Sequence, residues 1–506
     1  MNKHRGFLPT ERLGLFMPKR ILYYSEYGAV GDGVADDFDA IIKTHEAANE
    51  AGLKVCADNG ASYYIAGAGK TACIQTDTDW GNAEFIIDDS KIAPENRFGN
   101  IFKISSKLEP FEIENVKTLE KNQVKLDLTV ARDSFATATD KNKMRYIREG
   151  LNRNDGSPQT DVFMIDRNGV IDENTPVIWD YDNITGMTAY PVDGETLTVS
   201  GGRFTTAANQ AESRYTYYER GIQVTRSNVV IDGLEHYITG ESEHGAPYAG
   251  FISISNCARA TVKNCKLSGH KVYTTIGSAN APVPMGSYDI TVNKSANVTF
   301  MDCTQINDIH DSKLWGIFTS NYSKNITFDN VYFSRFDAHM GVANATIRNS
   351  VLGYMGVHLI GCGTFLIERT KVCGHSLINL RSDYGSTWEG GITIKDCEFI
   401  PRNGTQSDAV LISGSYSGQH NFGYTCYLPK KITIDGLVID DSNPVKGYGG
   451  PKIFADFNKL YVNEEYQEKY PYVMTEEVNI KNITVKSGKP FHVSDNKFMF
   501  RNVKVL

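Results

Sequence analysis

The stretch FDNVYFSRFDAHMGVANATIRNSVLGYMGVHLIGCGTFLIERTKV (residues 328–372) contains three copies of one six-residue pattern. The copies FDNVYF, IRNSVL and IERTKV begin at positions 328, 347 and 367, so they are spaced by 19 and then 20 residues. Such a unit is too short for a strand–helix–strand crossover, but it is long enough for one coil of short strands and tight turns. A repeat of this length predicts a solenoid.

The same pattern recurs on both sides of this stretch. Each copy begins with an apolar residue, usually has Asn, Asp or Gly two positions later, and in most copies has another apolar residue five positions after the start. The further copies are VKNCKL (262–267), IKDCEF (394–399), IDGLVI (434–439), IKNITV (480–485) and FRNVKV (500–505), with the degenerate copies IDGLEH (231–236) and FMDCTQ (300–305). The wider gaps between some copies predict loops inserted into those coils.

Each coil also carries a second apolar segment. Examples are GIFTS (316–320), GVHLIG (356–361), LINLR (377–381) and AVLIS (409–413). Stacked coils pair equivalent strands in parallel, about 4.8 Å apart, so that inward side chains form ladders and outward side chains line up on a face. The sequence therefore predicts an all-β fold, a right-handed parallel β-helix, with an outward face on which a polymer could lie.

The composition excludes several classes of protein. The 506 residues include 45 Gly, 27 Tyr and 24 Phe, which suits turn-rich β structure. A formal charge of −8 argues against a general nucleic-acid binder. We expect no membrane partner, because no apolar stretch is long enough to span a bilayer, and the lack of a signal-peptide pattern favours a cytoplasmic over a secreted location.

The nine cysteines show no CxxC motif and no Cys/His metal spacing, so we expect no metal and no cofactor. Cys265, Cys303 and Cys397 occupy one equivalent position of the repeat. We predict that these three thiols are small core residues.

The segment YGAVGDGVADDFDAI (residues 27–41) reads as a Gly-rich turn followed by a capped helix. Asp36 or Asp37 is predicted to cap the helix, and Gly52 to end it. The predicted buried stripe consists of Phe38, Ile41, Ile42 and His45. The segment resembles the entrance motif of the pectate-lyase-like β-helix superfamily, which implies a helix that covers the N-terminal end of the solenoid.

The resemblance implies a scaffold and leaves the activity open, because hydrolases, lyases, epimerases and tailspikes share it. We predict three regions. Residues 1–75 form the N-terminal cap and entrance helix, residues 76–204 form early coils with an inserted β subdomain, and residues 205–506 form the main β-helix.

Candidate catalytic residues lie in the regular coils at the centre of the chain. Asp311, Asp337, His339 and His358 come just before or within the second strand of successive coils, where equal phase means vertical stacking. The layout resembles that of polygalacturonases, which implies acids at Asp311 and Asp337, a histidine at His358 and a basic residue at Arg381. The paired aspartates and the Gly-His-Gly tripeptide of that family are absent here.

Glycoside hydrolysis needs such a set. One carboxylic acid protonates the leaving oxygen, and a carboxylate activates water or attacks the sugar. His339 or His358 could tune the pKa of an acid or relay a proton.

Candidate substrate-binding residues are cationic, acidic or aromatic side chains of the same coils, together with an upstream cluster in GESEHGAPYAGF (240–251). Aromatic rings supply flat apolar area for sugar faces. The candidates are Arg335, Arg381, Asp383, Trp315, Tyr384 and Trp388 in the centre, and Glu243, His244 and Tyr248 upstream.

Three functions remain open at this point. The leading hypothesis is a glycoside hydrolase acting on an oligo- or polysaccharide. The alternatives are a polysaccharide lyase, in which Arg335, Arg381, His339 and Tyr384 would act on a uronate, and a non-catalytic tailspike-like or adhesion protein. The chain is expected to be a monomer or a homo-oligomer, with a trimer as one possibility.

Overall fold

The six-residue repeat forms two short strands joined by a left-handed turn. The computed structural model describes residues 20–148, 153–214, 217–242, 245–277, 280–402, 408–416 and 425–506. Asn, Asp and Gly tolerate positive φ better than other residues, which explains their place at the third position of the repeat. The third residues with positive φ are Gly233, Asn264, Asp302, Asn330, Asn349, Arg369, Asp396, Gly436 and Asn482.

The described chain begins with the first coils and one α-helix. The elements are β1 (Ile21–Tyr23), β2 (Asp32–Asp36), α1 (Phe38–Ala51), β3 (Lys54–Cys56), β4 (Ser62–Ile65), β5 (Ala72–Ile74), β6 (Thr78–Asp88) and β7 (Phe102–Ile104). An insert follows with β8 (Phe111–Glu112), β9 (Ser134–Arg145), β10 (Ser157–Ile165) and β11 (Gly186–Pro191).

The coils then resume and continue to the C-terminus. The next elements are β12 (Leu197–Ala207), β13 (Ile222–Val224), β14 (Val229–Asp232), β15 (Glu235–Thr239), β16 (Ala249–Ser255), β17 (Ala258–Lys263), β18 (Lys266–Leu267), β19 (Tyr273–Ile276) and β20 (Pro282–Met285). The central coils contain β21 (Tyr288–Asn293), β22 (Ala296–Met301), β23 (Thr304–Gln305), β24 (Phe318–Asp329), β25 (Tyr332–Arg348), β26 (Val351–Leu359), β27 (Gly361–Glu368), β28 (Lys371–Gly374) and β29 (Ser376–Leu380). The last coils contain β30 (Trp388–Pro401), β31 (Val410–Ser413), β32 (Lys431–Ile439), β33 (Lys452–Phe454), β34 (Glu477–Val485) and β35 (Lys504–Val505).

Within the described residues, 29 strands join into one parallel sheet that winds into three faces. Face A runs through β14, β17 and β22, face B through β15, β18 and β23, and face C through β13, β16 and β21. Some central strands bend from one face to the next. The first half of β24 extends face C and its second half extends face A. The predicted parallel β-helix is confirmed.

The first residue of each repeat copy forms one continuous ladder on face A. The register joins Ile231, Val262, Phe300, Phe328, Ile347, Ile367, Ile394, Ile434 and Ile480 in that order. Nearly all of these side chains are buried in the core. The apolar ladder fixes the register of the coils, because a shift by one residue would expose it to solvent.

Helix α1 covers the N-terminal end of this core. Phe38, Ile41 and His45 are buried as predicted, and Ile42 is partly buried against the same core. His45 Nε2 lies 2.8 Å from the hydroxyl of Tyr24. The helix therefore hides apolar side chains of the first coils.

The ends of α1 are set by the predicted residues. Asp36 accepts a hydrogen bond from the amide of Phe38 at 3.1 Å, whereas Asp37 accepts from the amide of Val30 at 2.6 Å and so ties down the Gly-rich turn. Gly52 ends the helix with a φ of 67°. Both aspartates thus support the entrance segment, but through different contacts.

The insert is a four-stranded antiparallel sheet in the order β10–β9–β11–β8, with a small apolar core of its own. Phe135, Val162 and Met164 on its other side pack against Ala258 and Ala296 of the solenoid. The insert therefore rests on the first residues of β17 and β22. No helix in the described part of the chain is both long and apolar enough to span a bilayer.

Candidate functional site

Three neighbouring strands of face C place polar side chains in one row. Asp337 of β25 pairs in register with His358 of β26, and His358 pairs with Asn379 of β29. Phe336 and Ala338 point into the core, so the alternation along β25 puts Asp337 on the outside of the solenoid. Coil stacking thus brings together residues that are far apart in sequence.

Two arginines hold Asp337 from opposite sides. Arg381 Nη1 donates to both carboxylate oxygens of Asp337, at 2.7 and 2.9 Å, and Arg335 Nη2 lies 2.8 Å from Oδ2. The Asp337 side chain is fully buried. Burial alone would raise the pKa of Asp337, but the two guanidiniums hold this pKa well below its usual range. Asp337 is therefore a buried anion at neutral pH and has no proton to donate.

His339 is held neutral, and both of its ring nitrogens have partners. Nε2 lies 3.1 Å from Arg148 Nη2 and 3.2 Å from the Tyr384 hydroxyl, while Nδ1 lies 3.0 Å from Asn321 Oδ1. Because an arginine can only donate, Nε2 accepts and the proton is assigned to Nδ1. Burial and the neighbouring Arg381 lower the pKa of His339 to about 3.

His358 has the opposite tautomer. Its Nδ1 lies 3.2 Å from Arg335 Nη2 and 3.3 Å from the amide nitrogen of Asn379, so Nδ1 accepts and the proton is assigned to Nε2. Burial and Arg335 lower the pKa of His358 to about 3. The two histidines are therefore both neutral, but only His339 accepts hydrogen bonds through Nε2.

Arg148 reaches this row from the insert. Its Nη2 donates to Asp383 at 2.8 Å and to the Tyr384 hydroxyl at 2.7 Å. Arg381 also donates to Asp383, from Nε at 3.1 Å and from Nη2 at 2.7 Å. Burial would raise the pKa of Asp383, but Arg381 and Arg148 lower it to about 2.

These side chains make one connected set, here called the arginine cluster. The set combines three guanidiniums, two carboxylates, two neutral imidazoles and one phenol. Its members are Arg148, Arg335, Asp337, His339, His358, Arg381, Asp383 and Tyr384. Such a set can bind an anionic group and accept a proton. Among the described residues, no group of three His, Cys, Asp or Glu side chains converges on a point that could hold a metal ion.

Two predicted residues flank the arginine cluster. Trp315 lies beside Arg335, with the guanidinium carbon 5.4 Å from the centre of its ring. Asp311 lies in the loop before β24, where its carboxylate accepts a hydrogen bond from the amide of Lys313 at 2.9 Å. This contact is typical of a turn former, and none of the hydrogen bonds or ion pairs of Asp337 involves Asp311.

Two of the aromatic residues predicted to stack on sugars are buried. Trp388 is 0% exposed, packs against Phe365 in the core and donates through its indole nitrogen to the carbonyl of Gly391 at 3.3 Å. Tyr384 is 1% exposed, and the Arg148 guanidinium carbon lies 4.5 Å from the centre of its ring. Trp388 is thus a core residue, and Tyr384 acts in the arginine cluster through its hydroxyl.

Tyr248 of the upstream cluster does not extend this site. Tyr248 is buried, and its hydroxyl donates to Asp89 at 3.2 Å and accepts from the amide of Asn209 at 2.9 Å. Tyr248 is therefore a structural residue of an earlier coil. Glu243 and His244 lie outside the described residues.

A second polar network is closed inside the same earlier coils. Asp289 Oδ1 lies 2.7 Å from His236 Nδ1 and 3.0 Å from His270 Nε2, and His270 Nδ1 lies 3.2 Å from Glu241. Burial lowers the pKa of His270, but the two carboxylates outweigh it and raise the pKa to about 10. The network binds neighbouring coils together and has almost no exposed surface.

A cavity of about 410 Å³ lies between the insert and the solenoid, and it is here called the insert cavity. Arg145, Trp179 and Asp180 line it from the insert, and Tyr322 and Glu389 line it from the solenoid. Tyr146 also lines it and packs against Tyr384, with ring centres 5.7 Å apart. The insert cavity therefore adjoins the arginine cluster.

Sequence reasoning missed Arg148, Arg145 and Trp179. All three belong to the segment between β7 and β12, which does not follow the coil repeat, so no register could be assigned to them. The only available signal was the density of aromatic and charged residues in WDYD (179–182) and in KMRY (143–146).

No protein-family model matches the sequence, and no curated protein matches it. Solved structures do match in fold. The tailspike gp61 of Pseudomonas phage phi297 aligns with a TM-score of 0.54 and 11% identity over 93% of this chain and 83% of that chain. The gp54 tailspike of Acinetobacter baumannii bacteriophage AP22, solved in complex with A. baumannii capsular saccharide, aligns with a TM-score of 0.54 and 10% identity over 96% of this chain and 79% of that chain.

An exopolygalacturonase from Thermotoga maritima aligns with a TM-score of 0.41 and 10% identity over 92% of this chain and 87% of that chain. At these identities, the first two alignments show that the chain shares the parallel β-helix fold, and a residue-by-residue comparison of sites has no basis.

Proposed function

We propose that this chain is a carbohydrate-active enzyme that binds an acidic oligo- or polysaccharide on face C beside the insert and cleaves it by β-elimination. The observation that carries the proposal is the composition of the arginine cluster, which offers guanidiniums and a neutral histidine but no protonated carboxylic acid. The tailspike that was solved with a capsular saccharide has the same fold, which supports a carbohydrate as the ligand.

Hydrolysis fits the arginine cluster less well. A glycoside hydrolase needs a carboxylic acid that still holds its proton near neutral pH. The neighbouring arginines lower the pKa of both Asp337 and Asp383, so that both are anions. A glycoside hydrolase mechanism would therefore need a catalytic acid outside the arginine cluster.

Elimination uses the groups that are present. The guanidiniums of Arg381 and Arg148 would neutralise the carboxylate of a uronate, which makes the proton on C5 more acidic. Nε2 of His339 would take that proton, the electron pair of the C5–H bond would form the C4–C5 double bond, and the C4–O bond would break. The Tyr384 hydroxyl would give its own proton to the leaving oxygen. His339 Nε2, 3.2 Å away, would then return the proton taken from C5 to Tyr384, so that both groups end in their starting states.

A screen of uronate polymers tests this proposal. We expect an unsaturated product that absorbs in the ultraviolet, and a loss of roughly 10²–10⁴-fold in kcat for His339→Ala, the usual contribution of a general base. Tyr332→Ala, an exposed aromatic side chain of face B, is the control and should keep full activity. New reducing ends without ultraviolet absorbance would show hydrolysis, and binding without turnover on every polymer would show a non-catalytic protein; either result refutes elimination.

A further inference from the structure

The insert cavity has walls from two separate parts of the chain. Lys121, Arg145 and Trp179 come from the insert, and Glu389 and Tyr427 come from the coils around β30. Its volume of about 410 Å³ lies within the range of small-molecule sites. The cavity therefore exists only while the insert is docked on the solenoid.

Two ion pairs hold the insert and the solenoid together at this cavity. Lys121 Nζ lies 2.5 Å from Glu389 at the partly exposed rim, and Lys324 Nζ lies 2.7 Å from Asp161 where both side chains are 1% exposed. All four residues line the cavity. A buried ion pair such as Lys324–Asp161 requires accurate geometry, so the docked position of the insert is well defined.

The insert wall carries a cation on an aromatic face. The Arg145 guanidinium carbon lies 4.8 Å from the centre of the Trp179 ring, and Arg145 Nε donates to Gln159 at 2.9 Å. Trp179 is only partly buried. An indole beside a guanidinium suits a sugar ring that carries an anionic group, because the ring offers flat apolar area and the cation offers directed donors.

The insert cavity adjoins the arginine cluster, and buried tyrosines pack between the two. Tyr146 packs against Tyr384 of the cluster and against Tyr322 of the cavity, with ring centres 5.7 and 5.3 Å apart. A saccharide held by the arginine cluster would therefore have to extend past these tyrosines to place a further residue in the insert cavity.

We infer that the insert cavity is a saccharide-binding subsite that selects an anionic sugar residue, with the partly buried indole of Trp179 as its apolar contact and Arg145 as the partner of its carboxylate or sulfate group. The identification of the ligand as a saccharide rests on the proposed function. It does not depend on the reaction that follows at the arginine cluster.

Binding to defined hexasaccharides tests the inference. In the His339→Ala background, which prevents turnover, calorimetry would compare hexagalacturonate, hexamannuronate, a sulfated heparin hexasaccharide and neutral cellohexaose. We expect an anionic probe to bind more tightly than cellohexaose, with the carboxylate and sulfate probes showing which anion is preferred. Trp179→Ala and Arg145→Gln should each weaken its binding about tenfold or more, as expected for the loss of one strong contact.

Tyr332→Ala in the same background is the matched aromatic control and should bind as the parent does. Circular dichroism melts would show whether each variant is folded. Affinities of Trp179→Ala and Arg145→Gln that match the parent, equal binding of cellohexaose, or no binding of any probe would each overturn the inference.

The outcome separates this inference from the proposed reaction. A protein that cleaves nothing, yet binds an anionic hexasaccharide through Trp179, would refute elimination and leave the subsite standing. Elimination with unchanged kcat and KM in Trp179→Ala would support the reaction and refute the subsite.

Discussion

Asp337→Asn should destabilise the central coils, because it removes the carboxylate that pairs with two buried arginines. The Arg335 and Arg381 side chains are 3% and 11% exposed. Arg381 keeps its pair of contacts with Asp383, so the charge left without a carboxylate is mainly that of Arg335. Breaking a buried ion pair in this way costs about 3–5 kcal/mol.

The loss should also have a defined pH dependence. Because the folded pKa of Asp337 lies below its ordinary value, the stabilisation is complete above the unfolded pKa of about 4 and is lost as pH falls towards the folded value. The difference between the parent and Asp337→Asn should therefore be constant from pH 5 to 8, a range chosen to lie above that unfolded pKa. It should shrink only in stronger acid.

Urea unfolding, combined with hydrogen exchange of the amides in β25 and β26, measures the effect. Asp383→Asn is a useful comparison, since its side chain is 32% exposed and the loss should be at most about 1 kcal/mol. Adding Arg335→Met to Asp337→Asn should restore part of the stability, because it removes the stranded charge. An unchanged urea midpoint together with complete loss of activity would refute this reasoning and return Asp337 to a direct catalytic role.

Three further outcomes are expected. Arg148→Ala should raise the pKa of His339 from about 3, since one neighbouring cation is lost, and an NMR titration of the imidazole that shows no shift would contradict this. The pKa of His270 is raised to about 10, so its protonated form stabilises the fold fully below the ordinary pKa near 6.5, and this stabilisation is lost as pH rises towards 10. The urea midpoint of the parent should therefore fall between pH 7 and 11. His270→Gln should make this decrease smaller. Gly361→Ala would place a Cβ 2.0 Å from the carbonyl oxygen of Val342 in the preceding coil and should lower the melting temperature. Gly194→Ala, with nothing within 4 Å, should not lower it, and equal melting temperatures would contradict the coil packing.

The coil architecture could be predicted because the repeat is a physical constraint on every copy. The first residue must be apolar to continue the face A ladder from Ile231 to Ile480, and the third must accept a left-handed turn. These two requirements appear directly in the sequence. The same regularity predicts Asp337 beside His358, and the two residues pair in register.

The burial of the predicted site residues could not be predicted in the same way. Alternation along β25 correctly puts Asp337 outside the tube, but the side chains of Arg335, Arg381 and their neighbours cover it. Trp388 follows a Gly-Ser-Thr turn and has the composition of a loop, yet it begins β30 opposite Gly361 and points inward. The burial of these residues depends on long side chains from other coils, and the local sequence does not predict where those side chains lie.

The insert shows the limit of reasoning from the repeat. Arg148 meets Asp383 across 235 positions of the chain, and no spacing rule connects them. The composition of the insert predicted a β subdomain, whereas its role as one wall of a cavity follows only from docking on Ala258 and Ala296. The coil repeat therefore cannot predict residues that complete a site from outside the solenoid.

Coil stacking also explains why the base in the proposed reaction is a histidine. Strands of successive coils lie about 4.8 Å apart, so outward acids and arginines at equal phase come within hydrogen-bonding reach and neutralise one another. In this chain the charges of Asp337 and Asp383 are neutralised in that way by Arg335, Arg381 and Arg148. A neutral imidazole has no charge to be neutralised by such pairing, and burial together with Arg381 and Arg148 keeps the pKa of His339 low, so that it stays deprotonated. The ion pairs that keep Asp337 and Asp383 deprotonated thus exclude both as proton donors, and the neutral His339 is the group left to act as a base in the proposed reaction.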